Sequence, residues 1–171
     1  MIWFTGCTHF GHANVIKLAN RPFASVEEMD EALIENWNKV VSWNDTVYHL
    51  GDVGWYHPNK QWDILKRLNG VKMFLQGNHD EERWGKDIVE LTQTIAPGER
   101  RLSGRRVVLC HYPIEEWSGW WKGNLHLHCH THAPDFVSGV RRFNVGVDAC
   151  QFRPVSLDEI LSHPNAERSL R

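Results

Sequence analysis

The sequence predicts an α/β protein, and three observations carry that prediction. Short apolar, strand-like runs alternate with stretches of helical periodicity, in the order strand, helix, strand, helix, strand. Helix start signals stand where the periodicity begins. Each strand-like run ends abruptly in glycine or a polar side chain. Parallel strands joined by right-handed helical crossovers are the simplest arrangement for that order.

The elements follow in turn. Ile2 to Gly6 reads as a short buried strand. Ser25 with Glu28 three residues later forms a capping box, and Met29, Leu33, Trp37, Val40 and Val41 then recur at helical spacing, predicting a helix to about Trp43. Asp45 to Leu50 is rich in strand formers, and Gly51-Asp52 closes it. Pro58 can open a second helix carrying Trp62, Leu65 and Leu68, which Asn69-Gly70 can end. Val71 to Leu75 is the next strand, followed by Gln76-Gly77-Asn78-His79-Asp80. In the second half a basic hairpin tip is expected at Arg101 to Arg106, then strands at Val107 to Cys110, Leu125 to His128 and Phe143 to Val147. A second capping box, Ser156 with Glu159, opens a short terminal helix.

At 171 residues, 42% hydrophobic and 23% charged, the chain is expected to form one domain over residues 1–171. A formal charge of −2 supplies no field that points to nucleic acid or an anionic membrane. No apolar run approaches the ~20 residues of a membrane helix, and no signal-peptide pattern follows Met1. The four cysteines form no Cys-x-x-Cys pair, so free thiols and a cytoplasmic location are expected.

The polar punctuation is where chemistry gathers. Cys7-Thr8-His9 follows the first strand, Gly51-Asp52 the second and Gly77-Asn78-His79-Asp80 the third. His111 follows the fourth, and His130-Thr131-His132 comes just beyond Leu125 to His128. Open α/β sheets bind ligands beyond the carboxyl ends of their strands. A lone histidine after a strand is usually an ordinary loop residue; five polar strand ends in succession point to a metal site.

With these residues in this order the chain resembles the calcineurin-like metallophosphoesterases, close to the small phage and bacterial type. That family carries Asp-x-His, Gly-Asp, Gly-Asn-His-Asp/Glu, a lone His and Gly-His-x-His; the matching residues here are Cys7-Thr8-His9, Gly51-Asp52, Gly77 to Asp80, His111, and Cys129-His130-Thr131-His132. The resemblance implies a two-sheet β-sandwich flanked by helices, and two divalent metal ions. Asp52 would bridge them, with Cys7, His9 and His132 completing one position and Asn78, His111 and His130 the other. Imidazole, carboxylate and amide suit Mn, Fe or Zn. A metal-bridging hydroxide would then attack a phosphoester, a small-molecule, nucleotide-like diester being favoured over a monoester. His79 would stabilise the transition state or protonate the leaving oxygen, and Asp80 would fix the orientation of His79.

Two positions depart from the family pattern: Cys7 replaces Asp, and Cys129 replaces Gly. Cys7 admits three readings: a thiolate ligand, which would favour Zn or Fe; a thiol that does not ligate; or a change that abolishes activity. Glycine in the family at this position suits a positive φ, so Cys129 there implies strain or an altered turn. Of the alternating His126, His128, His130 and His132, only the last two are assigned to metal. His12, Asn14 and Arg21 could hold a substrate phosphate or merely shape a loop. Trp55, Trp117, Trp120 and Trp121 could rim the site, and Trp120 and Trp121 could stack an aromatic substrate; a tryptophan-rich packing cluster or an oligomer contact is the alternative. Arg100, Arg101, Arg105 and Arg106 read as a solvated turn before a nucleic-acid contact. Two rival functions stand beside the hydrolase: a non-catalytic phosphate- or nucleotide-binding descendant weakened at Cys7, and a structural-zinc protein.

Overall fold

In the computed structural model, residues 1–80, 88–91 and 106–167 are described. Two sheets pack face to face. The first takes β1 (Ile2–Thr5), β2 (Thr46–His49), β3 (Val71–Phe74) and β9 (Val155–Ser156), in the order β3-β2-β1-β9. The second takes β4 (Ile88–Leu91), β5 (Val107–Cys110), β6 (Leu125–His128), β7 (Val137–Gly139) and β8 (Arg142–Asn144), in the order β4-β5-β6-β8-β7. β1, β2 and β3 run parallel, as do β5, β6 and β8. The strands β9, β4 and β7 pair antiparallel at the edges.

Strand alternation sorts the core into two layers. Phe4, Leu50 and Leu75 from the first sheet meet Val107, Leu109, Leu125, Leu127 and Phe143 from the second, forming the inter-sheet core. Trp3 and Val47 point the other way. They pack beneath α2 (Val26–Val40) and α3 (Pro58–Arg67) through Met29, Leu33, Trp37, Ile64 and Leu65. The fold is therefore the two-sheet sandwich flanked by helices that the resemblance implies.

Local chemistry sets the boundaries. Ser25 Oγ accepts the Glu28 N–H, and Ser156 and Glu159 complete a reciprocal capping box at the start of α4 (Leu157–Ser162). The helix expected to reach Trp43 stops at Val40 because Asp45 folds the chain back. Its carboxylate accepts the Ser42 N–H at 2.9 Å and the Trp3 indole N–H at 2.9 Å. The strand expected at Phe143 to Val147 ends at Asn144, whose Oδ1 accepts the Gly146 N–H at 3.0 Å and turns the chain into a 3-10 turn at Val147–Ala149. The expectation missed α1 (Ala13–Leu18), α5 (Pro164–Glu167), β4, β7 and β9, all of six residues or fewer and too short to show a period. Apart from Arg106, the basic hairpin lies outside the described residues. No helix among the described residues is long and apolar enough to cross a membrane.

Candidate metal centre

The loops leaving β1 and β2 run on beside each other. Cys7 N–H donates to the Gly51 carbonyl at 2.9 Å and His9 N–H to the Asp52 carbonyl at 3.0 Å. The loop leaving β3 presses against them: a Cβ on Gly51 (φ +96°) would lie 2.6 Å from Gly77 Cα, and a Cβ on Gly77 would lie 2.5 Å from the Asp52 nitrogen. The contact between these two loops therefore has no room for a side chain at either glycine.

Two groups of donors meet there. Cys7, His9 and His132 bring their ligand atoms within 4.8 Å of one another, and so do Asp52, His111 and His130. Asp52 stands between the groups, with Oδ2 3.4 Å from His9 Nε2 and 3.4 Å from His111 Nε2. Its other oxygen accepts the His79 N–H at 2.9 Å. Asn78 Oδ1 lies 2.8 Å from His111 Nε2 and 2.9 Å from His130 Nδ1. The structure thus brings all seven sequence-predicted ligands to one place.

The electron pairs are arranged as a cation requires. His111 Nδ1 donates to the Leu50 carbonyl at 2.8 Å, so its Nε2 carries the lone pair. That lone pair faces two acceptors, the Asn78 amide oxygen at 2.8 Å and the Asp52 carboxylate oxygen at 3.4 Å. Such acceptors repel unless a positive charge sits among them. His9 is buried with neither ring nitrogen hydrogen-bonded, and its pKa is pushed down to about 2 by burial, then by His132 and Arg21. A neutral, dehydrated imidazole without a partner is an expensive residue unless its lone pair ligates. Cysteine sulfur, imidazole, carboxylate and amide oxygen together fit a borderline divalent ion.

The backbone is strained at the same place. Cys7, His9, Asp52, His130 and His132 all lie in the left-handed region, with φ between 52° and 58°. Non-glycine residues adopt it rarely, and such strain concentrates at functional sites. Cys129 is absent from these positions, so the strain expected there falls instead on His130 and His132.

Two expected roles need correction. Asp80 does not orient His79. Its carboxylate accepts the backbone N–H groups of Asp52 at 2.6 Å, Gly77 at 2.8 Å and Val53 at 2.9 Å, clamping the loop after β3 to the loop after β2. Arg21 does not face a substrate. It is buried, bonds the Cys7 and Thr8 carbonyls, and grips Asp148 with Nε at 2.8 Å and Nη2 at 2.9 Å. Two aromatic rings border the site: Trp55, stacked on His12 at 4.7 Å and tilted against His79 at 5.0 Å, and Tyr112, 5.0 Å from the His111 ring and 4.7 Å from the His130 ring. Trp120 and Trp121, expected to stack a substrate, lie in a 3-10 turn beyond buried Trp117, which packs edge-on against Trp120 at 6.4 Å and tilted against His126 at 5.2 Å.

His126 and His128 take the packing role expected of them: both are buried, and burial pulls each pKa down to about 4. Asp148 is the residue the sequence reading missed. Its Oδ2 accepts from His132 Nδ1 at 2.7 Å, which leaves His132 Nε2 free toward Cys7 and His9. Burial pushes the Asp148 carboxyl up, but hydrogen bonds from His132 and Arg21 outweigh it and hold it below its usual range. Carboxylate–histidine pairs of this kind orient metal ligands. The rule that singled out the other strand ends would have found it, since Asp148 lies four residues past β8.

No family model matches the chain. It is 36% identical over 170 residues to the uncharacterized protein MJ1445 of Methanocaldococcus jannaschii, covering 94% of this chain and 89% of that protein. It is 31% identical over 190 residues to the Gene 66 protein of Mycobacterium phage L5, covering 92% and 91%. The crystal structure of AQ665 from Aquifex aeolicus, a protein of unknown function, is similar with a TM-score of 0.71 and 25% identity, covering 94% of this chain and 97% of that one.

Proposed function

We propose that this chain, which belongs to the family of MJ1445 and the phage L5 Gene 66 protein, is a metal-dependent phosphoesterase of the calcineurin-like type. The observation that carries the reading is the set of mutually repelling lone pairs around Asp52 Oδ2 and His111 Nε2. Cys7, His9, His132 and Asp52 would hold one divalent ion, and Asp52, Asn78, His111 and His130 a second. Bound ions of this kind supply Lewis acidity and a nucleophilic water at neutral pH.

The chain's own residues do the rest. Asp52, pinned through Oδ1 by the His79 amide, keeps Oδ2 turned to both donor groups. His79 is exposed beside His9 and Trp55, which supports a role for its imidazole in protonating a leaving oxygen. Trp55, 54% exposed, offers a flat apolar surface next to it, which favours a phosphodiester with a planar, nucleotide-like leaving group. The inward thiol of Cys7, to which His130 N–H donates at 3.1 Å, favours Zn or Fe.

The test is turnover of bis(4-nitrophenyl) phosphate by protein stripped of metal and reloaded with Mn, Fe or Zn. Turnover should depend on the metal, vanish in Asp52→Asn, and fall ~10²–10⁴-fold in His79→Asn. Metal binding without turnover of this diester or of 4-nitrophenyl phosphate would refute the hydrolase. Activity appearing only in Cys7→Asp would establish the non-catalytic binding descendant instead.

A further inference from the structure

The two departures from the family pattern meet in space. Cys7 and Cys129 are 122 positions apart in sequence, yet both are buried and pack into the same core cluster. Cys129 Sγ occupies the space against Gly6, where a Cβ would come within 2.6 Å of it. It lies 3.3 Å from the Leu50 carbonyl and 3.2 Å from His111 Nδ1. Cys7 Sγ, Cys129 Sγ and a His111 ring nitrogen all fall within 4.8 Å of one another. A Gly-to-Cys change whose sulfur arrives beside an Asp-to-Cys change makes a paired thiol floor beneath the candidate metal centre.

We propose that Cys7, Cys129 and His111 form a binding site for one soft, thiophilic cation of the Cd(II) or Cu(I) class, and that filling it excludes the harder ion pair. Two sulfurs and an imidazole in a dry pocket select soft cations. Metal–sulfur bonds of ~2.3 Å nearly close the observed span. On capture both thiol protons leave to solvent, and the imidazole proton moves from Nδ1 to Nε2. There it meets Asn78 Oδ1, 2.8 Å away, and Asp52 Oδ2, 3.4 Å away. That N–H closes the second position by hydrogen bonding, and Cys7 leaves the first. The soft ion and the ion pair are thus alternative states of one pocket. The proposal rests on the reading of Cys7 and His111 as cation ligands and adds Cys129 to them.

The experiment is titration of the reduced full chain with Cd(II), read as sulfur-to-cadmium charge-transfer absorption, whose intensity scales with the number of bound sulfurs. The band should saturate at one equivalent. It should fall to about half in both Cys129→Ser and Cys129→Gly, the latter restoring the family's own residue, and stay at full strength in Cys150→Ser. Cadmium-loaded protein should take up no manganese by elemental analysis until the cadmium is chelated. Full intensity in the Cys129 variants, no band in the parent, or manganese uptake alongside cadmium would overturn the proposal. Phosphodiester turnover in manganese alone tests the hydrolase separately, since the cadmium band needs no catalysis.

Discussion

Asp148→Asn preserves size and removes one charge, and its consequences divide cleanly. The carboxylate makes three charge-assisted bonds: from His132 Nδ1 at 2.7 Å and from Arg21 at 2.8 Å and 2.9 Å. An amide has one acceptor oxygen, so at least one of these bonds is lost, at ~1.5–3 kcal/mol. Arg21 is buried and would be left without its counter-charge, which lifts the cost toward ~3–5 kcal/mol for the fold. The share carried by His132 appears in cation affinity instead. Once the carboxylate no longer fixes its Nδ1–H tautomer, Nε2 stops being the obligatory lone pair, and affinity at that position should fall ~10–100-fold, or ~1.4–2.7 kcal/mol. Calorimetric titration with Mn(II), beside a thermal melt, separates the two effects. One of the two binding steps should shift by that factor while the other moves little, and the melting temperature should drop. Unchanged affinity at both steps, with only the melt lowered, would reduce Asp148 to a structural counter-ion and refute the orienting argument.

Other expectations follow from the same geometry. Gly77→Ala puts a methyl 2.5 Å from the Asp52 nitrogen. It should cost ~1–3 kcal/mol in urea unfolding and weaken metal binding; a neutral outcome would mean the loops after β2 and β3 are not locked. Asp80→Ala strands three backbone N–H groups at ~1–3 kcal/mol for each one buried, so stability should collapse before any His79-dependent rate changes. A variant of normal stability with lost activity would restore Asp80 to catalysis. Burial lowers the pKa of His49, His126 and His128 to about 4 each. The unfolded chain therefore binds more protons, and stability should decline as pH falls from ~6.5 toward 4, by up to ~1.4 kcal/mol per pH unit per histidine. Urea midpoints that are flat or rising across that window would contradict it. Trp55→Ala should raise KM for an aryl phosphodiester and leave a methyl diester nearly unchanged; equal effects would remove Trp55 from substrate recognition.

Sequence periodicity sufficed for the elements long enough to repeat. α2 shows four turns of apolar spacing behind a capping box, and strand ends carry the candidate ligands Asp52, Asn78, His111 and His132, where open α/β sheets bind ligands. What periodicity does not encode is which polar group faces which. Asp80 stands next to His79 in sequence, but three backbone amides from two loops hold its carboxylate elsewhere. Arg21 looks like a phosphate ligand until Asp148, 127 residues later, takes its guanidinium. These errors have one origin: charge pairing across loops depends on tertiary contacts that leave no local signature.

The strained backbone ties the fold to the chemistry. Five residues assigned as ligands hold a left-handed conformation, at a cost on the order of 1 kcal/mol each. Summed, that approaches the lower end of a domain's whole stability, ~5–15 kcal/mol, so the local sequence would relax if nothing opposed it. The opposition is visible residue by residue. Cys7 and His9 are held by the Gly51 and Asp52 carbonyls, Asp52 by the Asp80 carboxylate, His130 by the Cys7 sulfur and His132 by Asp148. Each restraint crosses from one loop to another, so no ligand can relax without loosening a second. A site assembled this way comes pre-organised for cations but expensive when empty, because the histidine and carboxylate lone pairs then face one another. Cation binding should therefore raise the stability of the whole sandwich rather than of one loop.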